Sequence, residues 1–222
     1  MKKLILFAAG LFAALSVFAQ EPVQDWACTN RYAADNAKVT VRPKAVFMGD
    51  SITEQWWRDA SFFTDNNYPA RGISGQTTAH MLVRFRSDVI NLHPKYVAIM
   101  AGTNDIAGNN GLISPDKIYE NLVSMCELAR ANKIKVLLCS ITPVNRYGWS
   151  KLMTEDPSGI IMDLNARLEA YAARTRGVTY VNYFDALKSP TNGIRAEYSP
   201  DGVHLTMEAY KIIEGIIQSY IK

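Results

Sequence analysis

Histidine is scarce in these 222 residues, with only His80, His93 and His204, and no Cys, Asp or Glu spacing around them matches a zinc site. No metal and no cofactor are therefore expected. The chain also lacks a basic run or stripe, which removes nucleic acid as an expected partner. Its 24 Lys and Arg face 21 Asp and Glu; without Lys2 and Lys3 the balance is 22 against 21, a formal charge of about +1. No G-x-G-x-x-G follows the first strand-like run, so the dinucleotide fingerprint is missing. Three cysteines are too few for a disulfide framework. Cys126 and Cys139 fall in helix-like and strand-like apolar runs and are expected as buried small hydrophobes. One disulfide through Cys28 stays open, because an exported chain permits it. No internal repeat or low-complexity linker interrupts the chain.

One apolar run is long. Met1-Lys2-Lys3 gives way to almost wholly apolar residues from Leu4 to Val17, then to Phe18-Ala19. This is the pattern of a secretory signal peptide over residues 1–19, too short for a membrane span of about 20 residues. Cleavage is expected after Ala19, leaving residues 20–222 as one exported domain, periplasmic or extracellular. Cys28 lies well beyond the apolar run, which argues against lipid attachment. No later segment is long and apolar enough to span, so no transmembrane segment is expected.

Further along, short runs rich in Val and Ile alternate with helical patterns. Strands are predicted over 44–48, 68–71, 96–100, 135–141 and 178–182, nearly continuous in apolar residues as strands buried on both faces are. Helices are predicted over 53–58, 77–91, 115–132, 160–176 and 206–221, with an extra one over 26–37. Ser114-Pro115 is a strong start signal, a capping side chain followed by proline in the first turn. Such alternation implies a parallel sheet covered on both faces, with ligands at the carboxyl ends of its strands. The polar, glycine-marked segments all fall at that edge: Gly49-Asp50-Ser51, Arg71-Gly72-Ile73-Ser74-Gly75, Gly102-Thr103-Asn104-Asp105, the loop opened by Thr142-Pro143, and Asp201-Gly202-Val203-His204.

Ser51 there is a candidate nucleophile, with His204 as its base and Asp201, three residues before His204, orienting the ring. Serine is also a favoured helix cap, and Pro200-Asp201-Gly202 is a turn signature in its own right. The segment is not a G-x-S-x-G elbow, since Thr53 stands at the second glycine's place. An acyl-transfer site needs donors for the developing oxyanion; the Gly75 N–H and the Asn104 amide are the candidates. Tyr147 and Trp149, in the long loop after the fourth strand, are candidate substrate contacts. Of Trp56 and Trp57, at most one is expected to face the site. His80 and His93 read as surface or packing residues.

The blocks Gly49-Asp50-Ser51-Ile52-Thr53, Arg71-Gly72-Ile73-Ser74-Gly75-Gln76-Thr77-Thr78, Gly102-Thr103-Asn104-Asp105 and Asp201-Gly202-Val203-His204 resemble those of the SGNH (GDSL) hydrolases. The wording is similar to the branch with the platelet-activating-factor acetylhydrolase alpha subunits and many secreted bacterial esterases. The resemblance implies a flavodoxin-like three-layer α/β/α sandwich with a five-stranded parallel sheet. It implies a triad of Ser51, Asp201 and His204, and an oxyanion hole from the N–H groups of Ser51 and Gly75 and the Asn104 side chain. The expected activity is a metal-independent serine esterase for small acyl groups, with an acetylated carbohydrate as one substrate class. A lysophospholipase or longer-chain lipid hydrolase is the alternative.

Overall fold

Strand pairing follows from where the apolar runs lie. The computed structural model describes residues 25–222, so the leader predicted over 1–19 lies outside the described residues. Five strands, β1 (Ala45–Gly49), β2 (Ala70–Gly72), β3 (Tyr96–Met100), β4 (Lys135–Cys139) and β5 (Val178–Val181), pair in parallel in the order β2-β1-β3-β4-β5. Between and around them run α1 (Ala33–Ala37), α2 (Ser51–Trp56), α3 (Ala60–Thr64), α4 (Thr78–Asp88), α5 (Thr103–Ile106), α6 (Pro115–Ala131), α7 (Ser158–Arg174), α8 (Phe184–Leu187) and α9 (Met207–Gln218). This is the expected flavodoxin-like order. The chain leaves β1 in opposite directions toward β2 and β3, so a crevice opens beyond the carboxyl ends of β1 and β3.

Alternation along each strand splits the core in two. Val46, Met48, Val97, Ile99, Val136 and Leu138 pack with Met81 and Phe85 of α4, Ile118 and Leu122 of α6, and Leu164 and Leu168 of α7. Ala45, Phe47, Ala98, Met100, Leu137 and Cys139 face the other way, onto Trp56, Phe62, Phe63, Tyr210, Ile213 and Ile217. Phe47 sits edge-on to Trp56, Phe62 and Phe63, with ring centroids 5.5–5.7 Å away, a favourable aromatic geometry. Trp56 is therefore core, while Trp57 is half-exposed. Cys126 and Cys139 are buried as expected, and Cys28 is a free thiol.

The helix predicted over 26–37 is shortened to α1. The Asp25 carboxylate takes the N–H groups of Thr29 and Asn30, and Cys28 adopts a left-handed φ of 53°. A local side-chain turn thus outcompetes helix there. The helix predicted from Thr53 begins earlier, at Ser51, because Asp50 caps it by accepting the Ile52 N–H at 2.9 Å. The cap expected at Ser114 is present, with Pro115 first in α6.

Candidate active site

Three hydrogen-bonded groups meet where β1 ends. Ser51 is the first residue of α2, so its hydroxyl is free of the capping role that Asp50 performs. Its Oγ lies 3.0 Å from His204 Nε2, and His204 Nδ1 lies 2.6 Å from Asp201 Oδ2. Asp201 spends its other oxygen, Oδ1, on the backbone N–H groups of Val203 and His204. The turn is closed further by Ser199 Oγ, which accepts the Gly202 N–H. Partial burial alone would raise the Asp201 carboxyl, but the His204 ring and these N–H groups outweigh it and hold its pKa below the usual range. Asp201 thus stays an anion facing the imidazole. Such a carboxylate fixes the tautomer that leaves Nε2 free to accept a proton.

Gly75 and Asn104 come to the same crevice from β2 and β3. The backbone of α2 lies directly on β2: a Cβ at Gly72 would sit 2.2 Å from the Glu54 N. Glu54 also accepts hydrogen bonds from the N–H and hydroxyl of Ser74, anchoring the Gly75 loop to the helix that carries Ser51. Gly75 has φ +78°, and nothing but Asn109 Nδ2, at 3.8 Å, lies near the place of its missing Cβ. The N–H groups of Ser51 and Gly75 have no protein acceptor among the described residues. Asn104 is 2% exposed. One N–H of its amide goes to Gln76 O at 3.1 Å, and its oxygen accepts from Asn109 Nδ2 at 2.9 Å. Its second N–H is left unspent among the described residues.

Two buried acids frame the crevice. Burial lifts the Asp50 carboxyl to about 7, against the lowering effect of the Ile52 N–H. Burial also raises Asp105 to about 6, although the N–H and hydroxyl of Thr78 bond to it. Behind them Arg84 is fully buried, donating to Asp88, Gln76 Oε1, Gly49 O and Arg71 O. It ties the ends of β1 and β2 together. Nothing in the helical pattern of α4 marks it, except an aspartate four residues on.

The loop after β4 closes one side. Trp149 is 46% exposed, and its ring centroid lies 6.1 Å from that of His204. Tyr147, the other expected substrate contact, is 3% exposed, shares a hydrogen bond with Thr103 Oγ1, and backs Trp149 edge-on. Asn109, not among the expected site residues, joins Trp149 Nε1 to Gly75 O and Asn104. Its only advance signal is the polar Asn109-Asn110-Gly111 run soon after Asn104. His80 instead serves the start of α4, its Nδ1 2.7 Å from Thr77 Oγ1.

A cavity of about 500 Å³ lies along β2, lined by Arg31, Tyr32, Glu54, Trp57 and Arg71 among others. None of Ser51, Gly75, Asn104 or His204 lines it, so the hydrogen-bonded crevice, not this cavity, holds groups suited to acyl transfer. Among the described residues no three His, Cys, Asp or Glu side chains converge as metal ligands, and no helix is long and apolar enough to cross a membrane.

A protein-family model described as the GDSL-like lipase/acylhydrolase family matches residues 47–212. The chain is similar to a Bacteroides fragilis protein provisionally described as an acylhydrolase, at 46% identity over 89% of this chain and 97% of that one, with a TM-score of 0.84. It is similar also to a GDSL-like lipase from Bacteroides thetaiotaomicron, at 44% identity over 88% and 98% of the two chains, TM-score 0.83. Esterase TesA of Pseudomonas aeruginosa is 34% identical over 114 residues, 46% of this chain and 55% of that protein. The chain spans about half or less of the length of the curated relatives it matches.

Proposed function

Because this chain belongs to the GDSL-like lipase/acylhydrolase family, we propose that its esterase chemistry runs through Ser51 as nucleophile and an acyl-enzyme intermediate. The unbroken line from Ser51 Oγ through His204 to Asp201, at 3.0 and 2.6 Å, carries this reading. Ser51 Oγ attacks the ester carbonyl while His204 Nε2 takes its proton. Asp201 stabilises the imidazolium that results. The carbonyl oxygen becomes an anion and accepts hydrogen bonds from the N–H groups of Ser51 and Gly75 and the spare N–H of Asn104. Collapse breaks the ester bond, and His204 returns its proton to the departing alcohol. Water then attacks the acyl-serine by the same route in reverse, releasing the acid and restoring Ser51.

The acyl group in this reading is small, acetyl or propionyl, and the alcohol polar, as in an acetylated carbohydrate. Trp149 supports it: a flat, half-exposed indole beside His204 suits a sugar face. A second reading, a longer-chain or lysophospholipid substrate, is favoured by a different observation. Leu112, Leu152 and Ile113 are 60%, 52% and 38% exposed on the neighbouring loops, and each buried methylene of a long chain there would add about 0.8 kcal/mol. The leader over residues 1–19 makes the working compartment periplasmic or extracellular.

A series of p-nitrophenyl esters from acetyl to lauroyl, with an acetylated sugar and a lysophospholipid alongside, tests the substrate. The highest kcat/KM is expected at acetyl or propionyl; a maximum at octanoyl or longer moves the reading to lipid hydrolysis. Ser51→Ala is expected to abolish turnover with the fold retained, since a first-turn hydroxyl is worth at most about 2 kcal/mol. A folded Ser51→Ala enzyme with wild-type activity overturns the mechanism.

A further inference from the structure

Asn104 can donate to an oxyanion only if its amide is held one way round. A primary amide carries oxygen on one side and two N–H bonds on the other, and a half-turn about its last bond exchanges them. What holds it is a line of groups whose ends are unambiguous. Trp149 Nε1–H, which can only donate, donates a hydrogen bond to Asn109 Oδ1 at 2.8 Å. Asn109 Nδ2 then donates to Asn104 Oδ1 at 2.9 Å and to Gly75 O at 3.3 Å. Asn104 Nδ2 donates to Gln76 O at 3.1 Å. Turning either amide would set oxygen against oxygen at a backbone carbonyl and N–H against N–H elsewhere.

We propose that Asn109 is a positioning residue for acyl transfer, aligning the Asn104 amide and holding the Gly75 carbonyl beside it under the control of the Trp149 indole N–H. The inference rests on the reading of Asn104 and Gly75 as oxyanion donors. Its basis is that one side chain touches both of those residues. The scaffold that presents it is fixed: Asn109 N–H bonds to Asn104 O at 3.0 Å, and Ser150 Oγ pins the Trp149 loop to Ala107 O at 2.6 Å. Trp149 therefore has a second duty beside its exposed face. It connects the wall next to His204 with the donors on the opposite side of the crevice.

The test is steady-state hydrolysis of p-nitrophenyl acetate by single and double variants of the full chain. Asn109→Ala is expected to lower kcat by about 10–100-fold, the scale of a small misplacement of catalytic donors, with KM within about twofold of wild type. Trp149→Phe, which keeps the ring but removes the N–H, is expected to lower kcat in the same direction by less. In an Asn104→Ala background, Asn109→Ala should cost clearly less than in the wild-type background, because it acts through the group already removed. Equal losses in both backgrounds, or a change in KM alone, overturn the proposal. Asn104→Ala separates the two levels: wild-type kcat in that variant sinks the oxyanion reading itself, whereas a loss there without one in Asn109→Ala sinks only the positioning role. If Asn109→Ala does not fold, an unchanged kcat in Trp149→Phe is the overturning result.

Discussion

Asp50 is the residue where fold and chemistry compete most directly. It caps α2 beside Ser51, yet burial lifts its carboxyl to about 7, far above the ordinary aspartate value of about 3.9. A group whose pKa is raised on folding favours the folded state in its protonated form. Its contribution is full below the unfolded pKa and is lost as pH rises through the folded one. Stability should therefore fall between about pH 4 and 7, where Asp50 is ionised in the unfolded chain but still protonated in the folded one, with Asp105 adding a smaller loss between about pH 4 and 6. An asparagine in its place would still accept the Ile52 N–H, since asparagine caps as well as aspartate. Asp50→Asn should accordingly show a flatter dependence of Tm on pH than wild type in thermal melts across that range. Parallel curves for the two proteins would mean that Asp50 is not the titrating group.

At the scale of elements, the packing of α2 on β2 sets the distance between Ser51 and Gly75. Gly72 has no left-handed backbone, so Ala is conformationally acceptable there; the obstacle is space, with the Glu54 N, Thr53 C and Asp50 O all within 2.7 Å of the new Cβ. Backbone cannot rotate out of the way as a side-chain tip can. Gly72→Ala should cost about 1–3 kcal/mol in urea denaturation, the range for overpacking, and should also depress kcat as α2 is pushed off the sheet. Gly215→Ala in α9, where the Cβ meets nothing within 4 Å, should instead gain up to about 1 kcal/mol. Strands were legible in the chain because burial on both faces leaves an uninterrupted apolar run, as at Tyr96–Met100. The segments bearing Ser51, Gly75 and Asn104 were legible because each follows a strand, and the one bearing His204 because Asp201 stands three residues before it. What could not be read was side-chain bonding between loops distant in sequence. Asn109 meets Gly75 across 34 positions and Trp149 across 40, and neither residue type nor spacing announces such a meeting. The helix predicted over 26–37 failed for a local reason, the Asp25 turn and the left-handed Cys28.

For the whole molecule, the telling feature is that the segments bearing the crevice all leave the sheet from the same edge. The opposite edge carries the connections that lead into the strands. At Asn132–Lys133, between α6 and β4, the chain closes a run of four consecutive exposed residues, 130–133, and Lys133 already adopts a left-handed φ of 60°. Such tips tolerate insertion. The molecule thus offers a handle as well as a blade: a fluorescent protein or an affinity peptide spliced between Asn132 and Lys133 should leave hydrolysis of p-nitrophenyl acetate within about twofold of wild type. The same splice between Gly111 and Leu112 should silence it, and equal tolerance at both places would mean that the two edges are not functionally separate. Tethered by its far edge, the enzyme would present its crevice outward to an insoluble polymer or a surface-bound ester.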